Sequence, residues 1–466
     1  MADSRFSFLL SVSSPFAAVP NPKPEIKNTG IKMKIFFALL VFLFITSFLL
    51  AQNIDAIINA KEAERIERTL SSDDMRGRKV FTEDIDKAAD FIATEFKANG
   101  LQTWNSKDGY RQEFVLVRPK FISASATLDG ISIDQKNIIV VTCQPELKID
   151  QASGYKIAAI KAGGNLSREA SAFIQSNKNV LVMVDSGYAA NFFSLSGLKP
   201  SIFKTDKSVI FVLGNIAPKS FTLEAKHKIT EQKLANVVGI LPGKSLPAGQ
   251  AGKKDEYVIF SGHYDHLGIG KTVNGDSIYN GANDDASGTT AVIMLAKYFK
   301  ALGNNERTIV FAAFTAEEIG GFGSQYFSSQ FDAGKVMAMF NIEMIGTESK
   351  WGKNSAYITG YEKTDLGQML QKNLSGTGFT YYPDPYTAQN LFYRSDNVTL
   401  ARLGVPAHTI STSKMDTDPN YHKLSDQIET LDMENMSIVI KSVALSARSI
   451  IAGKETPARM KAEELK

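Results

Sequence analysis

The chain has a single cysteine, Cys143, in 466 residues. An internal disulfide, a Cys-x-x-Cys redox pair and a cysteine-rich metal site are therefore excluded. A lone cysteine reads as a small buried apolar residue. Histidine is also scarce, with five in all, and no His-Glu-x-x-His sequence occurs. No Gly-x-Ser-x-Gly elbow is present to supply a serine nucleophile. The formal net charge is only +3 and there is no basic block, which argues against nucleic acid as a partner. Hydrophobic residues make up 44% of the chain, an ordinary share for a globular protein with a large core.

The N-terminus carries an address. Met33-Lys34 precedes an apolar run from Ile35 to Phe44, followed by Thr46-Ser47 and Phe48-Leu49-Leu50-Ala51. A basic start, an apolar middle and a small residue at the end predict a signal peptide over 33–51, cut after Ala51. Left uncut, the segment approaches membrane-spanning length and would act as an anchor. Residues 1–32 are Ser- and Pro-rich and read as disordered, or as a mistaken start upstream of Met33. The expected location is the periplasm or the exterior.

Residues 55–115 read as the helical N-terminal part of a catalytic domain. Thr82 is a plausible cap for a helix over 83–98, with Gly100 as its stop. Residues 116–232 form a β-rich insert, with short β-branched runs at 137–141, 155–160, 180–184 and 208–213 and one helix near 168–176. From 233 to 455 strands and helices alternate. Strands are expected at 235–241, 257–261, 308–315, 336–342 and 407–411. Helices are expected at 287–302, 324–330, 365–374 and 433–451. That alternation predicts a three-layer α/β sheet with helices on both faces. Residues 456–466 form a charged tail, expected to be disordered.

Most of the chain's candidate chemistry sits at the ends of those predicted strands. His263 follows 257–261, Glu317 and Glu318 follow 308–315, and Glu343 follows 336–342. In an open α/β sheet the binding crevice lies outside the carboxyl ends of the strands. Asp284, just ahead of a helix, and His422 complete a set of oxygen and nitrogen donors suited to zinc. Asp284, Glu318 and Glu343 with one hydroxide would balance two zinc ions. A carboxylate bridging both is expected when the metals lie roughly 3.5–4 Å apart.

The segments Phe260-Ser-Gly-His263-Tyr-Asp265-His-Leu-Gly268, Gly281-Ala-Asn-Asp284-Asp-Ala-Ser-Gly288, Thr315-Ala-Glu317-Glu318-Ile-Gly320 and Asn420-Tyr-His422 resemble the M28 family of zinc aminopeptidases. The resemblance covers about 236–450 well and 65–115 loosely. It implies a zinc-exopeptidase fold, a protease-associated type of insert, two zinc ions per chain and peptide or protein substrates. By that resemblance His263, Asp284 and Glu343 hold one ion. Asp284, Glu318 and His422 hold the other, with Asp284 bridging. Glu317 becomes the general base for the metal-activated water. Asp265 becomes the carboxylate that orients His263, and Tyr421 an oxyanion donor. Two positions depart from the family pattern. Glu343 stands where Asp is usual and is longer by roughly 1.5 Å. Asp285 stands where Asn is common. The family also implies a cis peptide between Asp284 and Asp285.

Blander readings exist for each piece. A His-x-Asp is usually a structural pair, a Glu-Glu a solvated helix start, an Asn-Asp-Asp a turn or cap. It is their joint occurrence that selects the metal reading. His266 is open between a supporting and a structural role. His227 and His408 read as structural. Gly320-Gly321-Phe322-Gly323 lacks the marks of a nucleotide loop and reads as a tight turn. Asp396 is open between meeting a substrate ammonium and shaping a turn. Two rival functions remain. A glutaminyl-cyclase-like acyltransferase would carry one zinc. A non-catalytic receptor-like module would have lost ligands, yet no ligand position is empty here.

Overall fold

The computed structural model describes residues 53–104, 109–198, 200–244 and 252–465. The expected signal segment and the residues before it lie outside that range. Among the described residues no helix is long and apolar enough to cross a membrane.

The centre is a mixed sheet. Its middle strand, Tyr257–His263, is parallel to Thr308–Phe314 on one side and to Val336–Ile342 on the other. Ala407–Ser411 extends the parallel set beyond Val336–Ile342. These strands are apolar along their length because both faces are covered. Alternate side chains go to opposite faces. Val258 and Phe260 pack into one core with Ala60–Leu70, Glu83–Ala98, Ser287–Leu302 and Met433–Ser446. Ile259, Val310 and Met339 pack into the other with Phe327, Leu400 and Ala401. The predicted three layers are thus present. Phe260 stacks between Phe311 and Phe340, with ring centroids 5.8 and 5.0 Å away, and against Phe299 of the covering helix at 5.4 Å. Truncating such a fully buried ring to alanine costs about 3–5 kcal/mol.

Several expectations need correction. Thr82 occupies the cap position of Glu83–Ala98, but its hydroxyl donates to Lys79 O at 2.7 Å instead of capping the helix. The last helix breaks at Ala447 into Met433–Ser446 and Arg448–Ile451. The tail is not loose. Ala458 N donates to Asp365 Oδ1 at 2.7 Å, Arg459 bonds the carbonyls of Val336 and Ala333, and Met460 is buried.

The β-rich stretch holds the short runs expected of it. Ile138–Val141, Val209–Leu213, Val180–Val184 and Lys156–Ile160 form a four-stranded sheet, with the helix Leu166–Gln175. Two long strands were foreseen only in part, through the expected strand at 235–241. Arg111–Leu128 and Phe221–Leu241 pair antiparallel over nearly their whole length. Phe221 to Lys228 alternates buried and exposed, the period of a half-covered strand. One side of this ribbon packs on the four-stranded sheet through Leu223, Ala225, Leu181 and Ile210. The far end of Phe221–Leu241 pairs with Thr308–Phe314 through Val237 to Leu241. The ribbon is therefore part of the large sheet and packs face to face on the four-stranded one.

Candidate metal centre

The parallel strands deliver their ends to one place. His263 is the last residue of its strand and opposes Phe314 in register. Glu317 and Glu318 lie just past Phe314, and Glu343 just past Ile342. Asp284 sits in an irregular turn ahead of Ser287–Leu302, and the Asp284–Asp285 peptide is cis, as the resemblance implied.

Asp284 stands between two imidazoles. His263 Nε2 lies 3.2 Å from Asp284 Oδ1, and His422 Nε2 lies 3.1 Å from Asp284 Oδ2. His422 Nε2 is also 3.3 Å from Glu318 Oε2. Donor atoms of His263, Asp284 and Glu343 all fall within 4.8 Å of one another, as do those of His266, Asp284 and Glu318. His266 thus joins the cluster, with Nδ1 2.7 Å from Glu318 Oε1. Gly281 makes this possible, since a Cβ there would meet the His266 ring at 2.5 Å.

The donors fit cations. His263 Nε2 is buried without a hydrogen-bond partner, although it faces the Asp284 carboxylate. His263 Nδ1 contacts the Asp265 carbonyl at 3.1 Å. With Nδ1 donating there, the bare Nε2 points at the cluster. Four carboxylates share the space with these rings. Burial pushes Glu343 up to about 7, against the pull of His263. Burial likewise holds Glu317 well above the ordinary carboxylate range. Asp284 goes the other way. Burial opposes its charge, but His263 and His422 outweigh that and lower its pKa. Burial also works against a charged His422, yet Asp284 and Glu318 push its imidazole up to about 10. A site of packed, desolvated carboxylates facing imidazole nitrogens, with no sulfur, is the chemistry of a zinc cradle.

Asp265 departs from its expected place. Its carboxylate Oδ1 is 3.8 Å from His263 Nδ1, and the close contact to that nitrogen is made by the backbone carbonyl. The carboxylate instead accepts from the backbone N–H groups of Glu317 at 3.1 Å and Glu318 at 3.3 Å. It fixes the turn that carries both glutamates. Tyr421 stacks on His422 with centroids 4.0 Å apart and accepts from Arg394 Nη2 at 3.3 Å. Ser395 Oγ donates to Glu343 Oε2. Asp396 is buried, and both its oxygens lack a geometrically good hydrogen bond.

Other residues shape the site in ways the sequence did not show. Asp285 accepts from the backbone N–H of His263, Gly288 and Met344, each at 3.0 Å. Gly262 and Gly288 leave room for it, since a Cβ on either would come within 3.0 Å of its carboxylate. Asp426 accepts from Asn283 N at 2.8 Å and Asp284 N at 3.1 Å. Arg78 is fully buried and donates to the carbonyls of Leu70, Tyr264, Asn280 and Gly281. The adjacency of Asp285 to Asp284 was a usable signal. Nothing in the sequence ties Arg78 to partners some 190 residues away.

Residues 236–446, just under half of the chain, match the model of Peptidase family M28. A probable leucine aminopeptidase of Trichophyton verrucosum is 27% identical over 211 residues, 43% of this chain and 53% of that protein. Aminopeptidase YwaD of Bacillus subtilis is 24% identical over 389 residues, 80% of this chain and 70% of that protein. The chain thus spans about half the length of the first of these relatives. Among solved structures, an aminopeptidase from Aneurinibacillus sp. strain AM-1 superposes with a TM-score of 0.50 at 17% identity, covering 89% of this chain and 98% of that one. A zinc aminopeptidase of Bacillus subtilis gives 0.50 at 18%, covering 86% and 97%. Those two likenesses establish the shared fold.

Proposed function

We propose that the chain is an exported, zinc-dependent exopeptidase, an aminopeptidase in its direction of trimming, with two zinc ions per chain. The carrying observation is Asp284, with one oxygen facing His263 and the other facing His422. A carboxylate so placed would serve two cations. His263 and Glu343 would complete one ligand set, and Glu318 and His422 the other, with His266 against Glu318. Bound zinc would supply Lewis acidity at the scissile carbonyl and lower the pKa of the attacking water.

Glu317 then does the proton work. Its side chain lines the cavity in front of the cluster, and its raised pKa brings it toward the working range of a general base. It takes a proton from water and returns it to the leaving amine. Asp265 keeps that side chain in place through the backbone of its turn. Tyr421 sits beside His422, where its hydroxyl can donate to the developing oxyanion. Glu317→Gln is expected to lower kcat by about 10²–10⁴-fold, with zinc content per chain unchanged by elemental analysis. Wild-type turnover in that variant would refute the assignment.

The glutaminyl-cyclase-like reading needs a single ion, and the two-sided use of Asp284 speaks against it. One zinc per chain by elemental analysis would restore it. A mixed peptide panel read by mass spectrometry, with and without chelator, reports which end is trimmed. Silence of a fully metal-loaded protein on that panel would favour a receptor-like module. N-terminal sequencing of the exported protein tests cleavage after Ala51.

A further inference from the structure

We propose that the cavity over the metal centre selects short peptides bearing a carboxylate beyond the scissile bond; this rests on the peptidase reading above. The cavity measures about 970 Å³, at the upper end of ligand pockets, which run roughly 300–1,000 Å³. Its floor holds Glu317, Glu318 and Tyr421. One wall comes from the central sheet side and carries Arg394 and Arg402, the latter already engaged within the protein. The other comes from the four-stranded module and carries Lys178, Lys204 and Lys207.

The charges on those walls are not equally engaged. Lys204 is committed to Glu231 at 2.6 Å, and Lys207 to Asp206 at 2.7 Å. Lys178 makes no side-chain ion pair or hydrogen bond among the described residues. The guanidinium of Arg394 bonds only a neutral phenol, that of Tyr421. Glu317 and Glu318 are the only carboxylates in the lining, and the metal centre claims both. Each wall therefore presents a cation without a counter-charge, above the metal centre.

That polarity matches a peptide in one orientation. The reacting end of the peptide goes down to the metal centre on the floor. A carboxylate one or two residues further on meets the two walls. Such a carboxylate has two sources, a free C-terminus or an acidic side chain. The same cations would discriminate against chains whose next residues are basic. Arg394 is the nearer contact, because it already touches Tyr421 beside the reacting centre.

Four substrates separate the possibilities on the zinc-loaded protein: leucyl-alanine, its C-terminal amide, leucyl-glutamate amide and leucyl-glutamine amide. kcat/KM for leucyl-alanine is expected to exceed that of its amide by about threefold or more, entering through KM, as a partly exposed charge pair allows. If the acidic side chain is the recognised source, leucyl-glutamate amide will exceed leucyl-glutamine amide instead. The double variant Lys178→Gln/Arg394→Gln should bring the preferred ratio close to one, and Lys178→Glu alone should lower it. Equal rates within both pairs would overturn the inference while leaving the peptidase reading intact. So would a preference that survives the double variant. Failure to cleave any of the four would sink the peptidase reading, and this inference with it.

Discussion

His263 and His422 face opposite oxygens of Asp284 at nearly equal distances, 3.2 and 3.1 Å, yet they are held in contrasting ways. His263 ends a central strand and its side chain is 1% exposed. Its N–H goes to Asp285, its carbonyl accepts from Thr289, and its Nδ1 meets the Asp265 carbonyl. His422 lies on a loop with φ of +56°, and its side chain is 35% exposed. That loop is held by its own carboxylates, Asp418 on the N–H groups of Asn420 and Tyr421, and Asp426 on those of Asn283 and Asp284. One half of the centre is set by sheet register, the other by side-chain bonds within a loop. Loops built that way open at lower free energy than core strands.

The contrast can be broken at its strongest point. Asp285→Ala leaves three backbone N–H groups around His263, Gly288 and Met344 without an acceptor. Stability should fall by about 3–5 kcal/mol in urea denaturation. The loop counterpart, Asp426→Ala, orphans two N–H groups and should cost about 2–3 kcal/mol. Equal losses, or a larger one at Asp426, would erase the distinction drawn between the halves.

The buried side of the rigid half titrates. Glu67 accepts from Thr290 Oγ1 at 3.0 Å, on the helix that follows the Asp284 turn, and its other oxygen has no partner. Burial pushes it from an ordinary 4.5 up to about 8, against the pull of Thr290 and Arg78. The folded protein holds this proton more tightly than the unfolded chain does. Stability from this group is full below about pH 4.5 and is lost as pH rises through about 8. The sign is that of a raised folded-state pKa. Glu67→Gln should therefore gain on the order of 2 kcal/mol over wild type at pH 8, with the gap closing by pH 5. A gap independent of pH would mean Glu67 is ionised in the fold.

The smallest stability effect is expected at the loop. His422→Ala should change metal-free stability by less than about 1 kcal/mol, while zinc falls by one ion per chain on elemental analysis. His263→Ala should lose metal and stability together. A loop variant that unfolds, or that keeps both ions, would contradict the assignment.

Much of the rigid half was legible from the sequence. Apolar runs ending in His263, Glu317 and Glu343 mark strand ends, and strand ends in a parallel sheet converge. The loop half was legible only through the Asn-Tyr-His resemblance, because loop geometry leaves no periodicity to read. The backbone ties made by Asp426 and Arg78 were invisible for a related reason. A buried acceptor or guanidinium bonding main-chain groups has no preferred sequence spacing. The alternation from Phe221 to Lys228 was a usable strand signal that went unread, but the length of the ribbon depends on its pairing with Arg111–Leu128, which neither strand's own sequence states. The docked tail escaped because charge was taken for solvation, whereas Arg459 spends its charge on carbonyls.

The Phe221–Leu241 strand has a practical bearing on any attempt to trim the molecule. Excising everything up to residue 241 would strip Thr308–Phe314 of a hydrogen-bonded neighbour and leave a bare, apolar sheet margin open to self-association. A smaller version that stays in solution would have to be spliced partway along the ribbon, keeping the roots of both strands.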